Sequence, residues 1–449
     1  MKRVLVIGAG RSATSLINYL LEQAERYNWQ VTVADISLEL ALEKIGQSPC
    51  GHAIQLNAVE DITRRRALIK GSDLVVSMLP PHLHIHPLKD CLRFNTNLTT
   101  ASYVSPEVKT FSDEATQKGL TFLFEMGLDP GIDHMSAMQI INHIRSKGGE
   151  IQSFKSYAGG LVAPESDNNP WHYKFSWSPR NVVLAGQGLT KYLYQGHYKY
   201  VNYSRLFTEA KLIEVMGMGT YEAYPNRASL TYREAYSLEN IPTILRATLR
   251  HRGYCAAWNL LVQLGLTDDS YLMEDSDNLT YANWLSSYLP PSKGKAWPSL
   301  KARLAEYFAL DTESESLKKL EWLGLFEDKK IGKPDATPAQ ILQDLLERKW
   351  KLEPQDKDMI LMQHELEYVL KGKNYRHTST LIQKGDNAKD TAMSKLVGIP
   401  LGIGAKHILL GTISNKGVHI PIKPEIYAPV MKELADYGVA FQSKDEKLS

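Results

Sequence analysis

The first 35 residues constrain the fold most, because a glycine-rich turn there separates two apolar strands. The apolar run Val4–Ile7 leads directly into the sequence Gly8-Ala9-Gly10-Arg11-Ser12-Ala13. A second apolar run, 31–34, ends in Asp35, which lies 22 residues past Ala13. A strand, a glycine turn, a helix and a second strand that ends in an acid are typical of a Rossmann βαβ unit.

The residues of this turn fit a bound dinucleotide. Gly8 permits the sharp change from strand to helix, and Gly10 has no Cβ, so a pyrophosphate can approach the backbone. Ala13 lets the helix pack close to the strand. Arg11 and Ser12 lie at the start of the helix, where free N–H groups face the phosphates. All five are therefore candidate cofactor-binding residues.

Asp35 bears on the choice of cofactor. A carboxylate at the end of the second strand accepts hydrogen bonds from a ribose 2′-OH and repels a 2′-phosphate. We therefore expect NAD or NADP, with NAD slightly favoured. Arg11 favours the opposite choice, since a guanidinium can reach a phosphate. A Rossmann-like domain that binds no nucleotide remains the alternative.

The composition excludes several other classes of protein. The 52 basic and 50 acidic residues nearly cancel, so no nucleic-acid partner is expected, and no apolar run is long enough to predict a membrane span. Three scattered cysteines, Cys50, Cys91 and Cys255, indicate neither a disulfide framework nor a metal site. Residues 1–3 lead directly into a strand, which leaves no room for a signal peptide. We expect a cytoplasmic protein.

Strand patterns alternate with helical patterns over the first 130 residues. The apolar strand-like runs cover residues 4–7, 31–34, 53–56, 74–77, 97–100 and 121–124. This alternation predicts an α/β fold with a doubly wound parallel sheet. The carboxyl end of the fourth strand then lies beside the cofactor at the switch point, which makes Leu79 a cofactor contact.

The later chain is organised differently. Strand-like runs at residues 150–159, 211–215 and 228–230 predict an antiparallel or mixed sheet in a second domain. Residues 241–350 are rich in helical patterns, the first of which covers residues 242–251. Strand patterns return after about residue 355, and the chain ends in helical patterns.

Polar side chains follow the fifth and sixth predicted strands. The segment 99–106 brings hydroxyl groups to a strand terminus, where an ordinary polar loop is the alternative. The segment 125–134 forms an irregular turn that aims Asp129 toward the carboxyl edge of the sheet. Asp133 is expected to cap the following helix. His134 is either a proton carrier or, more commonly, a packed histidine.

Arginines and aromatic residues mark a second candidate site. The segment 156–180 mixes aromatic and hydroxyl side chains, as walls of small-molecule pockets do, although a core strand and a loop would read the same. Arg227 follows a turn and is suited to bind a carboxylate bidentately. The cations 250–252 cluster at the end of the predicted helix, where the helix dipole explains them equally well.

Together these segments resemble the saccharopine dehydrogenase family, specifically its L-glutamate-forming type. The resemblance rests on six sequence motifs: GAGRSA at 8–13, SYVSP at 102–106, GLDPGIDH at 127–134, SYAGGL at 156–161, YKFSWSPR at 173–180 and YPNR at 224–227. The resemblance covers nearly the whole chain. GLDPGIDH and YKFSWSPR are long and specific, whereas the nucleotide fingerprint alone is not.

The resemblance implies three domains and a homodimer. Residues 1–130 would form the Rossmann domain, completed by about 390–449. Residues 131–240 and 351–389 would form a mixed α/β domain for substrate binding and dimerisation, and residues 241–350 an all-α insertion.

The resemblance also implies the reaction and its residues. Saccharopine, a secondary amine that joins lysine and glutamate, would lose a hydride to the nicotinamide, and hydrolysis of the imine would give glutamate and 2-aminoadipate 6-semialdehyde, or the reverse. The implied substrate-binding residues are Ser102, Tyr103, Asp129, Arg227, Thr248, Leu249 and Arg250. The implied cofactor contacts beyond the glycine turn are Leu128, Asp129, Pro130 and Ser178. Asp129 is our candidate catalytic base.

One departure from the family and two alternatives stay open. Fungal members use NADP and carry an arginine just past the second strand, where this chain has Asp35-Ile36. The first alternative is a related dehydrogenase that acts on another carboxylated secondary amine, such as carboxynorspermidine or an opine. The second is a Rossmann binding protein without catalysis.

Overall fold

The computed structural model describes residues 1–291 and 294–448 and divides the chain into two compact units. The first unit contains Met1–Ile151 and Tyr368–Ser449, and the second contains Gln152–Glu367. This division is coarser than the three domains that the resemblance implies, so their individual bounds stay a prediction.

The strands of the described residues are β1 (Arg3–Ile7), β2 (Gln30–Asp35), β3 (Gly51–Gln55), β4 (Leu74–Ser77), β5 (Asn97–Thr100), β6 (Thr121–Leu123), β7 (Glu150–Val162), β8 (Leu189–Tyr194), β9 (His197–Asn202), β10 (Lys211–Val215), β11 (Gly219–Pro225), β12 (Thr243–Arg250), β13 (Asp358–Leu370), β14 (Lys373–Lys384), β15 (Gly417–His419) and β16 (Phe441–Lys447).

The helices are α1 (Thr14–Tyr27), α2 (Leu38–Ile45), α3 (Ile62–Lys70), α4 (Ile85–Phe94), α5 (Pro106–Lys109), α6 (Ser112–Gln117), α7 (Ile132–Ser146), α8 (Pro179–Val183), α9 (Tyr203–Leu206), α10 (Thr231–Ala235), α11 (Tyr254–Gln263), α12 (Tyr281–Ser287), α13 (Leu300–Tyr307), α14 (Glu315–Leu323), α15 (Pro338–Lys349), α16 (Ala392–Leu410) and α17 (Pro424–Asp436).

The first unit contains the predicted parallel sheet. Its strand order is β3-β2-β1-β4-β5-β6-β15, and every pair of neighbours runs parallel. The order reverses between β1 and β4, so this is the switch point at which a Rossmann sheet binds its ligand. Ile7 pairs with Ser77, and Ser77 with Thr100, which aligns the carboxyl ends of β1, β4 and β5. The predicted Rossmann fold is confirmed.

Helix α16 belongs to the core of the first unit. It is long and apolar enough to cross a membrane by length and composition, but 78% of its apolar 18-residue window is buried inside the protein, as is typical of a core helix. An added Cβ at Gly398 would lie 2.5 Å from the Leu16 nitrogen, and one at Gly402 would lie 2.5 Å from the ring of Tyr19. The two glycines therefore let α16 pack closely against α1.

Glu433 on α17 joins three helices of this unit. Its carboxylate accepts hydrogen bonds from Lys406 Nζ on α16 at 2.5 Å and from the Tyr19 hydroxyl on α1 at 2.7 Å. His407 Nε2 lies 3.5 Å away. Burial raises the pKa of Glu433, but the contacts with His407, Lys406 and Tyr19 outweigh it and lower the pKa to about 2.

We expect Glu433→Gln to lower the free energy of unfolding by about 1–3 kcal/mol at pH 7, because the buried Lys406 loses its carboxylate partner. The folded pKa lies below the ordinary value of about 4.3, so this contribution is complete above that pH and is lost as the pH falls toward 2. Thermal melts of both proteins at pH 7 and pH 3 check this. The exposed Glu25→Gln on α1 is the control, and equal melting temperatures of wild type and Glu433→Gln at pH 7 would contradict the expectation.

The second unit contains a mixed sheet, as predicted. Strands β10 and β11 pair antiparallel, β11 and β12 also pair antiparallel, and β12 pairs parallel with β7. A hairpin of β8 and β9 meets β12 at one residue pair, and β13 follows β7 in the strand order. Helices α11, α14 and α15 contribute leucines and tryptophans to one large core cluster.

Three predictions of secondary structure are wrong. The chain does not end in a helix, because the strand β16 follows α17 and pairs antiparallel with β14. Residues 242–251 do not form a helix, because Thr243–Arg250 is the strand β12, which pairs with β11 on one side and β7 on the other. The implied insertion at residues 241–350 is therefore not all-α. A strand buried on both faces has no polar alternation, so its apolar spacing resembles that of a helix. Residues 228–230 do not form a strand, since only Ala228 makes an isolated bridge, with Lys191.

Candidate active site

The glycine turn has the conformation that the sequence predicts. Gly8 has a φ of +107°, and a Cβ there would lie 2.9 Å from the Met78 carbonyl oxygen, so only glycine fits. At Gly10, by contrast, an added Cβ would meet no atom within 4 Å. The Ala13 N–H donates to the Gly10 carbonyl at 3.0 Å as the chain turns into α1. The exposed side of Gly10 therefore fits a pyrophosphate at the start of that helix.

Asp35 lies beside this turn at the carboxyl end of β2. Its Oδ2 accepts a hydrogen bond from the Ala9 N–H at 2.6 Å, and its Oδ1 accepts one from the Ser37 N–H at 2.9 Å. The neighbouring Ile36 is 66% exposed. The carboxylate is thus fixed toward the turn. Arg11 is exposed and Ser12 half-buried at the other side of the turn. These residues fit a dinucleotide.

The remaining predicted cofactor contacts of the first unit lie at the carboxyl ends of β4 and β6. Leu79 directly follows Met78 after β4 and is half-buried against the core. Leu128 and Pro130 are buried in the turn before α7. Within this turn the Gly127 N–H donates to the Pro130 carbonyl at 2.9 Å, and the Asp129–Pro130 peptide bond is cis.

Asp133 does not cap α7 in the way that we expected. The helix begins at Ile132, two residues before the start that a cap at Asp133 would give, and Gly131 occupies the cap position. The Asp133 carboxylate instead accepts a hydrogen bond from the Gly131 N–H at 2.6 Å. Asp133 therefore fixes the turn from within the first helical turn.

Three predicted substrate residues of the first unit lie together. Ser102 and Tyr103 follow β5, and Asp129 lies in the turn after β6, the neighbouring strand. The Tyr103 hydroxyl donates to Asp129 Oδ1 at 3.1 Å, and 51% of Tyr103 is exposed. A hydroxyl, a phenol and a carboxylate thus meet at the edge of the sheet that carries the glycine turn.

Glu125 braces this group, and sequence reasoning missed it. It has a φ of 59°, is buried, and binds His134 Nε2 through Oε2 at 2.6 Å. Its Oε1 accepts a hydrogen bond from the Val104 N–H at 3.0 Å. His134 is 1% exposed, so it is a packed histidine rather than an accessible proton carrier. The pair ties the loop after β5 to the start of α7.

His84 is the second residue that was missed. Its Nδ1 lies 2.8 Å from Ser77 Oγ, and its Nε2 lies 2.6 Å from Ser102 Oγ. Burial, with a smaller effect of His82, lowers the pKa of His84 to about 4, so the ring is neutral at pH 7. The sequence shows three histidines, at 82, 84 and 86, but gives no signal that the second of them contacts Ser102.

In the second unit the pairing of β11 with β12 positions Arg227 and Thr248. Thr248 pairs with Tyr224, and its hydroxyl donates to Asn226 Oδ1 at 2.6 Å. Arg227 is exposed and donates from Nη1 to the Gln187 carbonyl at 3.2 Å. Arg227 thus immediately follows the residue that Thr248 contacts.

Arg250, at the end of β12, is buried among tyrosines. Its guanidinium carbon lies 4.9 Å from the ring centre of Tyr173, 5.3 Å from Tyr254 and 5.8 Å from Tyr224. Its Nη1 donates to the Leu249 carbonyl at 2.8 Å, while within the described residues its Nε has no hydrogen-bond partner. A buried cation with an unused donor fits an anionic group of a ligand.

Two further positions have structural roles of their own. Ser178 is exposed at the start of α8, where its hydroxyl accepts a hydrogen bond from the Asn181 N–H at 3.4 Å. Its predicted contact with the cofactor stays a prediction. The Leu249 side chain is fully buried.

Among residues 1–291 and 294–448, no group of three His, Cys, Asp or Glu side chains is arranged to hold a metal ion.

Comparison with known proteins identifies the family. Residues 4–123 match the saccharopine dehydrogenase NADP binding domain, and residues 127–439 match the saccharopine dehydrogenase C-terminal domain. The chain belongs to the saccharopine dehydrogenase family. The resemblance that the sequence motifs carry is therefore confirmed.

Relatives of the chain within the family match it over almost its whole length. "Saccharopine dehydrogenase [NADP(+), L-glutamate-forming]" of Saccharomyces cerevisiae is 34% identical, with 99% of each chain covered. "Alpha-aminoadipic semialdehyde synthase" of Arabidopsis thaliana is 32% identical, and the match covers 99% of this chain and 45% of that protein. A solved apo structure of the saccharopine dehydrogenase (L-Glu forming) from S. cerevisiae matches with a TM-score of 0.89 and 32% identity. The match covers 99% of this chain and 100% of that chain.

The comparisons also bear on the cofactor. A nicotinamide dinucleotide is the cofactor of this family, as the glycine turn predicts. The name of the N-terminal domain and the name of the yeast relative both give NADP and thus favour NADP over the NAD that Asp35 favours.

Proposed function

We propose that this protein interconverts saccharopine with L-glutamate and 2-aminoadipate 6-semialdehyde by hydride transfer to or from a nicotinamide cofactor. The observation that carries the proposal is the shared edge of the parallel sheet. The open glycine turn follows β1, while Ser102, Tyr103 and Asp129 follow β5 and β6. The substrate is the one named for the yeast relative, which the chain matches over almost its whole length.

The chemistry requires two steps. A nicotinamide bound at this site would supply the hydride acceptor for the carbon on the lysine side of the secondary amine. Loss of that hydride and of the amine proton converts the amine to an imine. Water then adds to the imine, and the carbon–nitrogen bond breaks to give glutamate and the aldehyde. Asp129 is our candidate for the base that activates this water, and the Tyr103 hydroxyl orients its carboxylate.

A substrate with three carboxylates also needs cations. We assign carboxylate binding to Arg227 and Arg250 of the second unit, with Thr248 as a neutral donor. A guanidinium binds a carboxylate through two parallel hydrogen bonds. The stacking of Arg250 on Tyr173 and Tyr254 keeps its planar group oriented before the substrate arrives.

Initial rates with a panel of substrates test the proposal. Purified protein is mixed with either dinucleotide and with saccharopine, carboxynorspermidine or an opine, and the absorbance of reduced nicotinamide is followed. We expect saccharopine to give the highest kcat/KM. Faster turnover of another amine would show that this amine, and not saccharopine, is the substrate. Binding of dinucleotide without turnover of any amine would favour a binding protein without catalysis.

We further propose that the protein uses either dinucleotide and prefers NAD, whereas the name of the yeast relative gives NADP. The support is the carboxylate of Asp35, which the Ala9 and Ser37 N–H groups fix beside the glycine turn. Two like charges about 4 Å apart near a protein surface repel by roughly 1–4 kcal/mol. Ile36, the next residue, supplies no positive charge for a 2′-phosphate, whereas the exposed Arg11 in the glycine turn supplies one that opposes this preference.

The cofactor preference predicts the effect of Asp35→Ser combined with Ile36→Arg. We expect the wild type to have a kcat/KM about tenfold higher with NAD, and the double variant to reverse this ratio, because repulsion is replaced by attraction. Steady-state kinetics with both dinucleotides measure the ratio. Glu39→Ser removes an equal, exposed charge from α2 and should leave the ratio unchanged. A wild-type preference for NADP of tenfold or more would contradict the proposal.

We also propose a cytoplasmic homodimer. The support is the family resemblance for the dimer and the three dispersed thiols for the compartment. Light scattering of the purified protein checks the dimer, and a mass equal to one chain would contradict it.

A further inference from the structure

A buried histidine lies between two serines at the carboxyl edge of the parallel sheet. His84 is 2% exposed, and its two ring nitrogens contact Ser77 Oγ on β4 and Ser102 Oγ after β5. A neutral imidazole has one N–H donor and one acceptor nitrogen. The ring therefore donates a hydrogen bond to one serine and accepts a hydrogen bond from the other. Which serine accepts depends on the tautomer of the ring.

The main chain of Ser102 is already fixed by other contacts. Its N–H donates to Thr100 Oγ1 at 3.3 Å, and its carbonyl accepts a hydrogen bond from the Glu125 N–H at 3.1 Å. What remains variable at Ser102 is the direction of its hydroxyl proton, and the contact with His84 determines this direction. Since Ser102 is half-buried, the hydroxyl has a buried side toward His84 and a side that a ligand can reach.

Ser77 selects the tautomer. Its side chain is fully buried, and among the described residues His84 Nδ1 is the acceptor within hydrogen-bond distance of its hydroxyl. If Nδ1 carried the proton, the buried Ser77 O–H would lack an acceptor, and such a loss is costly. Ser77 therefore donates to a bare Nδ1, and the ring proton lies on Nε2.

We propose that His84 is a positioning residue that donates from Nε2 to Ser102 Oγ and thereby turns the Ser102 hydroxyl proton toward the substrate. Ser102 then presents a donor, which is what a carboxylate of the substrate requires. The opposite tautomer would engage the Ser102 proton and leave only an acceptor, which repels a carboxylate. The identity of this substrate rests on the proposed function, whereas the tautomer rests on the hydrogen bonds alone.

The tautomer is measurable without any substrate. In protein labelled with ¹⁵N-histidine, NMR chemical shifts distinguish a protonated ring nitrogen from a bare one, and the spectrum of His84→Gln assigns the His84 signals by their loss. We expect Nε2 to carry the proton at pH 7. His82→Leu, an exposed neighbour, is the control and should leave these signals in place. A proton on Nδ1 would overturn the proposal.

Kinetics test the consequence for the substrate. We expect Ser102→Ala and His84→Leu each to raise the KM for saccharopine about tenfold, with the dissociation constant of the dinucleotide unchanged. The double variant should lose no more than either single variant, because both remove one donor. His84→Gln keeps an N–H group near the Nε2 position and should recover most of the loss.

The outcomes separate the two proposals. Multiplicative losses in the double variant, or a His84→Gln variant as poor as His84→Leu, would overturn the positioning role. A wild-type protein that turns over no saccharopine would overturn the proposed function instead, while the NMR measurement would still decide the tautomer.

Discussion

Replacing Arg250 by methionine is expected to raise the KM for saccharopine about 100-fold or more. Removing one partner of a buried charge pair costs roughly 3–5 kcal/mol, and 1.4 kcal/mol corresponds to a factor of ten. Methionine is apolar and flexible enough to fill the space between Tyr173, Tyr224 and Tyr254. Steady-state kinetics and a separate titration with dinucleotide measure the effect, which should spare the cofactor.

Two further variants make this result specific. Arg250→Lys keeps the charge but loses the planar group that stacks on the tyrosines, so it should recover little of the lost affinity. Arg252→Met removes an exposed cation two residues away and should leave the kinetics unchanged. If Arg250→Met melted normally and had the same saccharopine kinetics as the wild type, Arg250 would not bind the substrate.

Gly131→Ala is expected to abolish turnover and to lower the melting temperature by several degrees. Gly131 has a φ of +147°, and an added Cβ would overlap the backbone of Gly127. The turn that carries Asp129 must therefore rearrange, and the hydrogen bond from the Tyr103 hydroxyl to Asp129 would be broken. Thermal melting and initial rates with saccharopine measure both effects.

Gly148→Ala is the matched control. This glycine follows α7 with a φ of +81°, but an added Cβ would meet no atom within 4 Å. The change should cost about 1 kcal/mol of backbone strain and leave turnover intact. If Gly131→Ala melted and turned over like Gly148→Ala, the turn would not have the tight geometry that positions Asp129.

The sequence predicts the first unit well because its signals are local. The glycine turn, the apolar strands and Asp35 lie within 35 residues, and each follows directly from backbone sterics and hydrogen bonding. The mixed character of the second sheet was also predictable. Strand β12 was not, because a strand buried on both faces shows no alternation, and its apolar spacing then imitates a helix.

The site could be predicted only in part for a different physical reason. Ser102, Tyr103 and Asp129 follow strand ends, so the parallel sheet brings them to one edge. His84 precedes α4 and reaches Ser102 through a side-chain contact across 18 residues, which no local pattern reports. Glu125 adopts a left-handed backbone conformation, which is uncommon for glutamate and therefore could not be predicted from its residue type.

The amount of glutamate formed per reduced nicotinamide tests the central claim most directly. Purified wild-type protein is incubated with saccharopine and NAD or NADP, glutamate is quantified by mass spectrometry, and reduced nicotinamide is quantified by its absorbance. The account predicts one glutamate for each reduced nicotinamide, in a reaction that Arg250→Met slows. Tight binding of dinucleotide with no glutamate above the protein-free control would contradict it.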